Sequence, residues 1–245
     1  RSQENAEKEI THMTVTERKQ TQIQLVLTEE EKETAPIFIA AKQVMNQEDR
    51  DTILKAEQDQ QIYYAFAKGR IEAATTDVAA AIRSADENMG VVVDEQQKYI
   101  WKRARKNIQP SFDVQPAEAD LSGSPAAKCI SAVLKHEGIE VSVGELMERG
   151  DTPQDILESL LSDRNVISIE GCTLSQILYY VSCGMPVMAV QGMQEAVLVT
   201  GYDSLNVWLY DPQAGAITKS TIEEAESKFS AAGGIYITVQ PKSEQ

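Results

Sequence analysis

The stretch Cys183–Gly215, CGMPVMAVQGMQEAVLVTGYDSLNVWLYDPQAG, limits what this chain can fold into more than any other part of it. Pro186–Val190 and Ala196–Thr200 are short apolar runs rich in β-branched residues, each bounded by turn formers, the pattern of strands buried on both faces. Gly201-Tyr202-Asp203-Ser204 and Leu205-Asn206 then interrupt the chain before a third run, Val207–Tyr210. That run stops at Asp211-Pro212, where proline removes a ladder donor. Connections this short join antiparallel neighbours, so the expectation is a three-strand antiparallel unit.

A helix is written as plainly upstream. Ser124–Gly138 has a serine N-cap, proline at the first helical position, an Ile130/Val133/Leu134 face and a closing glycine. Thr152-Pro153-Gln154-Asp155 and Thr173-Leu174-Ser175-Gln176 are capping-box starts that launch helices over Ile156–Leu161 and Leu174–Tyr180. After Gly215, Ala216-Ile217-Thr218 reads as a short strand, Thr221–Phe229 as an acidic amphipathic helix and Gly234–Val239 as a closing strand.

The first half of the chain is patterned differently. Residues from Arg1 to about Glu9 are charged and featureless. Thr14–Thr16 and Gln22–Leu27 alternate apolar with polar residues around Glu17–Thr21, which suggests a hairpin with one wet face. Glu29–Glu33 is an acidic cluster, and Ile37–Val44 with Asp51–Gln58 has the spacing of one or two helices. From Ile62 to Arg103 a ββαββ unit emerges: IYYAFA, the turn Lys68-Gly69, RIEAAT, a helix capped by Asp77 and closed at Gly90, then Val91–Val93 and Tyr99–Trp101. Its aromatics, Tyr63, Tyr64, Phe66, Tyr99 and Trp101, read as packing. Asn107–Gly123 carries Pro110, Pro116 and Gly123 with few apolar residues and is read as a linker. The sequence thus divides into an N-terminal α+β domain, residues 1–114, and a second domain, residues 115–245.

With 245 residues and a net charge of −15, the chain is large enough for a sizeable core and too acidic for a nucleic-acid partner. The basic run Lys98, Lys102, Arg103, Arg105 and Lys106 reads as a solvated face or a contact between domains. Cys129, Cys172 and Cys183 cannot all pair within one chain, and without metal-ligand spacing no metal and no cofactor is expected. No apolar run approaches the roughly 18 residues of a membrane span, so membrane association is expected only through a segment outside this sequence.

The small-residue turn, PVMAV, a glycine, EAVLVTGYD, a turn, a strand and DP resemble the C-terminal half of the C39-like cysteine peptidases, a family with a papain-like fold. In that family the strand opens with histidine, as in HAVxVxGYD, and the following DP supplies the acid that orients it; by position these are Glu195 and Asp211. The helix Ser124–Gly138 is similar to the nucleophile helix, roughly CGxxxLAMVLxYYG, with Val133-Leu134 over VL and Gly138 over the closing glycine. That register puts the nucleophile's position at Pro125. The family's oxyanion-hole glutamine has no counterpart in Glu118–Ser124, and Gln115 is well upstream. The resemblance covers about residues 120–240 and implies an α+β domain in which a helix packs on an antiparallel sheet.

A thiol at a helix N-terminus ionises easily because it faces the positive end of the dipole, and proline supplies no such group. The expectation is a C39-like fold with no catalytic residue, in which Ser124, Pro125, Glu195 and Asp211 line a vestigial cleft for a peptide or protein ligand. The resemblance further implies a bacterial, extracytoplasmic setting in the cell envelope. Glu195 is expected to cap the emptied helix tip, accepting its free amides. The alternative is an active cysteine peptidase with a displaced nucleophile, Cys129 or Ser124, and a base from His12. His136 is seven positions after Cys129, about 10.5 Å along one helix, and cannot serve it. A third reading is a purely structural segment with no ligand.

Overall fold

The computed structural model describes residues 37–56, 60–106 and 108–241. The hairpin expected over 14–27, the acidic cluster Glu29–Glu33 and His12 lie outside the described residues. The chain forms two compact units that divide at Lys102/Arg103.

In the N-terminal unit, residues 37–43 are helical and are followed by α1 (Gln47–Lys55), β1 (Tyr63–Ala67), β2 (Arg70–Thr75), α2 (Val78–Glu87), β3 (Val91–Val93) and β4 (Tyr99–Trp101). The strands form an antiparallel sheet in the order β2-β1-β3-β4. Alternation along β1 sorts its side chains between two faces. Tyr64 packs with Phe38, Ile62, Ala74 and Val93, and Phe66 joins them. The apolar stripe of α2, Val78, Ala81, Ile82 and Ala85, is buried as α2 packs on β1, β2 and β3. The aromatics expected to pack do so, with Tyr63, Tyr64 and Trp101 buried and Phe66 and Tyr99 against the core.

Gly90 does not end α2 in the way its position suggests. The positive φ, 57°, belongs to Met89. Gly90 is there because a Cβ on it would lie 2.3 Å from the carbonyl oxygen of Phe66. A strand backbone runs where any side chain would stand.

The C-terminal unit contains α3 (Pro125–His136), α4 (Val143–Glu148), α5 (Pro153–Leu160), β5 (Val166–Glu170), α6 (Leu174–Ser182), β6 (Val187–Val190), β7 (Ala196–Tyr202), β8 (Asn206–Asp211), β9 (Ala216–Thr221), α7 (Ile222–Ala231) and β10 (Ile235–Val239). Its six strands are ordered β5-β10-β6-β7-β8-β9, and every pairing is antiparallel. The expected strand triplet is β6-β7-β8. Both capping boxes form, Thr152 with Asp155 and Thr173 with Gln176. Helices α3 and α6 pack on β6 and β7. Consecutive residues Leu198 and Val199 are both 0% exposed, so β7 is covered on both faces. This α+β arrangement, a leading helix laid on an antiparallel sheet, is the one the resemblance implied. Among the described residues no helix is long and apolar enough to cross a membrane.

The boundary between units falls well before residue 115, because the proline-containing segment read as a linker belongs to the C-terminal sheet. Gln109 exchanges two backbone hydrogen bonds with Tyr202, at 2.9 and 3.0 Å. The Phe112 amide donates to the Thr200 carbonyl, and the Ser111 and Thr200 hydroxyls meet at 2.6 Å. The segment therefore continues along β7 where β6, which pairs only as far as Val199, leaves off. Gly201 permits this, since a Cβ there would come within 2.6 Å of the Ser111 backbone.

Candidate functional site

The tip of α3 is built by its N-cap, Ser124, and its first four residues. Ser124 caps the helix by accepting the Ala127 amide on Oγ at 3.2 Å, and Pro125, which has no amide to satisfy, takes the first helical position. The next donor, the Ala126 amide, reaches outside the helix to the carbonyl oxygen of Gln194 at 3.0 Å. That bond ties the turn between β6 and β7 to the helix tip. One turn further in, Lys128 Nζ donates to the carbonyl of Pro212 at 3.1 Å. The end of β8 is thereby drawn to the same corner. Pro125, Glu195 and Asp211, placed together by sequence register alone, thus sit on three elements that converge at one end of the sheet.

What these residues do there differs from what their positions suggest. Glu195 is exposed, and its backbone carbonyl closes the β6–β7 turn by accepting the Gln191 and Gly192 amides at 2.8 and 3.2 Å. It was expected to cap α3, but the donors it would accept are taken: Ala126 by the Gln194 carbonyl and Ala127 by Ser124. A main-chain oxygen does the work assigned to the carboxylate. Accordingly, Glu195→Ala should leave the urea midpoint nearly unchanged, within about 0.5 kcal/mol, as for an ordinary surface change. A loss of about 1 kcal/mol, reversed on protonation at low pH, would restore its capping role.

Asp211 is half-buried and folds back on its own turn, Oδ1 accepting the Gln213 and Ala214 amides at 2.9 and 3.4 Å. This is the Asx geometry that terminates a strand. Its charge also reaches Cys129. The Cys129 thiol, 0% exposed within α3, is held far above the usual thiol range, first by burial and then by the Asp211 carboxylate. Both causes oppose thiolate formation, the reverse of what a nucleophile requires. Native Cys129 should therefore alkylate at neutral pH at least about a hundredfold more slowly than the unfolded chain. Labelling at comparable rates in the two states would mark it as reactive.

The one described histidine stands at the other end of α3. His136 Nε2 lies 2.9 Å from the Gly184 carbonyl, and its ring stacks on Phe112 with centroids 5.2 Å apart. Twelve residues of helix, about 18 Å, separate it from Ser124. Ser124 Oγ already accepts the Ala127 amide, and among the described residues no histidine lies within reach to activate it. Nor do the described residues bring three or more histidine, cysteine or acidic side chains together as metal ligands.

No family model and no curated protein matches the chain. Among solved structures it is similar to a protein from Bacillus anthracis described as a C39-like peptidase, at 12% identity and a TM-score of 0.45, over 54% of this chain and all of that one. It is also similar to the peptidase domain of Streptococcus ComA, a bifunctional ABC transporter of a quorum-sensing pathway. There the identity is 19% and the TM-score 0.39, over 56% of this chain and all of that domain. Any chemistry at the α3 tip has to come from this chain's own residues.

Two residues that matter at this corner carry no sequence signal. Lys128 reads as a solvent-facing helix lysine, yet it holds Pro212. Asp120, in the short 3-10 turn Glu118–Asp120, reads as a loop acid and is 1% exposed. Both of its carboxylate oxygens are engaged, by the amides of Val143 at 3.0 Å and Gly144 at 2.9 Å. It caps α4 from 23 residues upstream, where Ser142 makes no side-chain cap of its own.

Proposed function

We propose that the C-terminal unit is a peptidase-like fold that does not cut, serving as a peptide- or protein-binding or structural module of a bacterial cell envelope, outside the cytoplasm. The observation that carries the reading is the state of the α3 tip. A proline stands at the nucleophile's position, and the two amides behind it already donate to the Gln194 carbonyl and the Ser124 hydroxyl. An acyl-transfer site needs an activated nucleophile and free donors aimed at the developing oxyanion. This corner offers neither. The envelope setting rests on the resemblance of the helix and strand motifs.

A mixed peptide library incubated with the full chain and read by mass spectrometry is expected to come back uncut. Reproducible cleavage that disappears in Cys129→Ala would overturn the non-catalytic reading in favour of a displaced nucleophile. The same library immobilised as an array separates the two non-catalytic roles. Peptides retained by the wild type and released by Glu195→Arg or Pro125→Arg place the ligand at the vestigial cleft. Retention insensitive to both variants removes the cleft from the proposal, and no retention at all leaves the structural role.

A further inference from the structure

Strand β2 lies at one edge of the N-terminal sheet and, among the described residues, pairs with β1 alone. In an antiparallel pair each residue turns its amide and carbonyl either toward the partner strand or away from it. The turn Lys68-Gly69, positive in φ at both residues, closes on the Ala67–Arg70 pair, so the next residue, Ile71, turns its backbone groups away from β1. Further along, Ala74 does the same, and its amide donates at 3.1 Å to Oδ1 of Asp49. The register shift at Ala65/Phe66 leaves these outward residues three apart, where an unbroken strand would set them two or four apart. Asp49 reaches the edge from α1, which packs on β2 and buries no other residue of its own. The Asp49 amide is held in turn by Oδ1 of Asn46, the N-cap, at 2.8 Å. Asp49 Oδ2 is buried and has no hydrogen-bond partner. A carboxylate buried half-satisfied costs stability, and an apolar side chain at this position would cost less. Stability therefore does not account for Asp49.

We propose that Asp49 guards the β2 edge against pairing with a second copy of this chain. Its Oδ1 stands where the carbonyl oxygen of an added strand would lie, and the charge it carries there repels that oxygen. A charged side chain turned inward over an edge is a recognised way of keeping a sheet from growing. The partner it excludes is defined by the edge itself. Antiparallel pairing of β2 with a second β2 sets Ile71 opposite Ala74 and Ala74 opposite Ile71, so the irregular spacing of one edge meets the same spacing in the other. Arg70 then faces Thr75 and Glu72 faces Ala73, which leaves no like charges directly opposed. A regular strand would match only one of the outward residues.

The test compares the self-association of the full-length wild type and Asp49→Ala by light scattering, and locates any new contact by amide hydrogen exchange. Asp49→Ala should dimerise at least about tenfold more tightly than the wild type. As its concentration rises, the Ile71 and Ala74 amides should become protected while those of β7 stay unchanged. Equal association of the two chains overturns the guard, and so does tighter association that leaves Ile71 and Ala74 unprotected. Should Asp49→Ala lose cooperative unfolding, Asp49→Val, closer to aspartate in volume, takes its place under the same two readings. The wild type supplies a check of its own: its Ala74 amide should be protected at every concentration and its Ile71 amide should not. An Ala74 amide that exchanges as fast as that of Ile71 would mean that Asp49 does not hold the edge, and would refute the proposal.

Discussion

Arg164→Ala is expected to destabilise the C-terminal unit by about 3 to 5 kcal/mol, the usual cost of breaking one side of a buried ion pair. Arg164 Nη2 lies 2.6 Å from Glu137 Oε2, and the two side chains are only 10% and 7% exposed. Their placement makes the loss one-sided. Glu137 is the C-cap residue of α3, so its carboxylate already faces the negative end of that helix. Without the guanidinium it would be a buried charge in the least favourable field the helix offers. The pair as a unit is worth much less than either half, because desolvating both ions costs nearly what their attraction returns. Arg164→Met combined with Glu137→Met should therefore recover most of the loss. Urea unfolding of the single and double variants separates these effects. A single-variant loss under about 1 kcal/mol would mean that water reaches the pair, and would reclassify it as a surface contact.

What could be read from the sequence was local. The three core strands, the Ser124 cap with Pro125 behind it and both capping boxes formed as written, because each is specified by residues within one turn or one strand of one another. Much of what was not legible depends on a partner far away in the chain, as three features besides Lys128 and Asp120 show. Strand β5, Val166–Glu170, is five residues that count only because Ile235–Val239 pairs with them. Residues 109–112 carry the composition of a linker but find their hydrogen bonds on β7, opposite a glycine whose absent side chain makes room. At the α3 tip, register placed Glu195 beside the helix, but the Gln194 carbonyl took the donor. Every residue has a carbonyl, so no side-chain pattern can announce which one will be used.

Asp120 is the sharpest instance of that limit, and its removal is the second large effect expected. Asp120→Ala should cost about 3 kcal/mol, since two buried, charge-assisted hydrogen bonds disappear and the Val143 and Gly144 amides lose their acceptors. Helix α4 has six residues, too few to persist on propensity, and it depends on this remote cap. Asp120→Asn keeps one acceptor but turns an amide nitrogen toward the second donor, so it should fall between wild type and alanine. Hydrogen exchange distinguishes loss of a cap from general loosening: protection should fall across Val143–Glu148 well before it falls in β6 and β7. Equal loss in all three elements, or a total under 1 kcal/mol, would remove Asp120 from this role. The same residue bears on the α3 tip, because its carbonyl accepts the Gly123 amide at 2.9 Å and so shapes the turn that delivers Ser124 and Pro125. Five positions ahead of Pro125, a side chain aimed at that tip could have served a reacting group. In this chain both carboxylate oxygens face α4 instead, and the residue is spent on holding the fold.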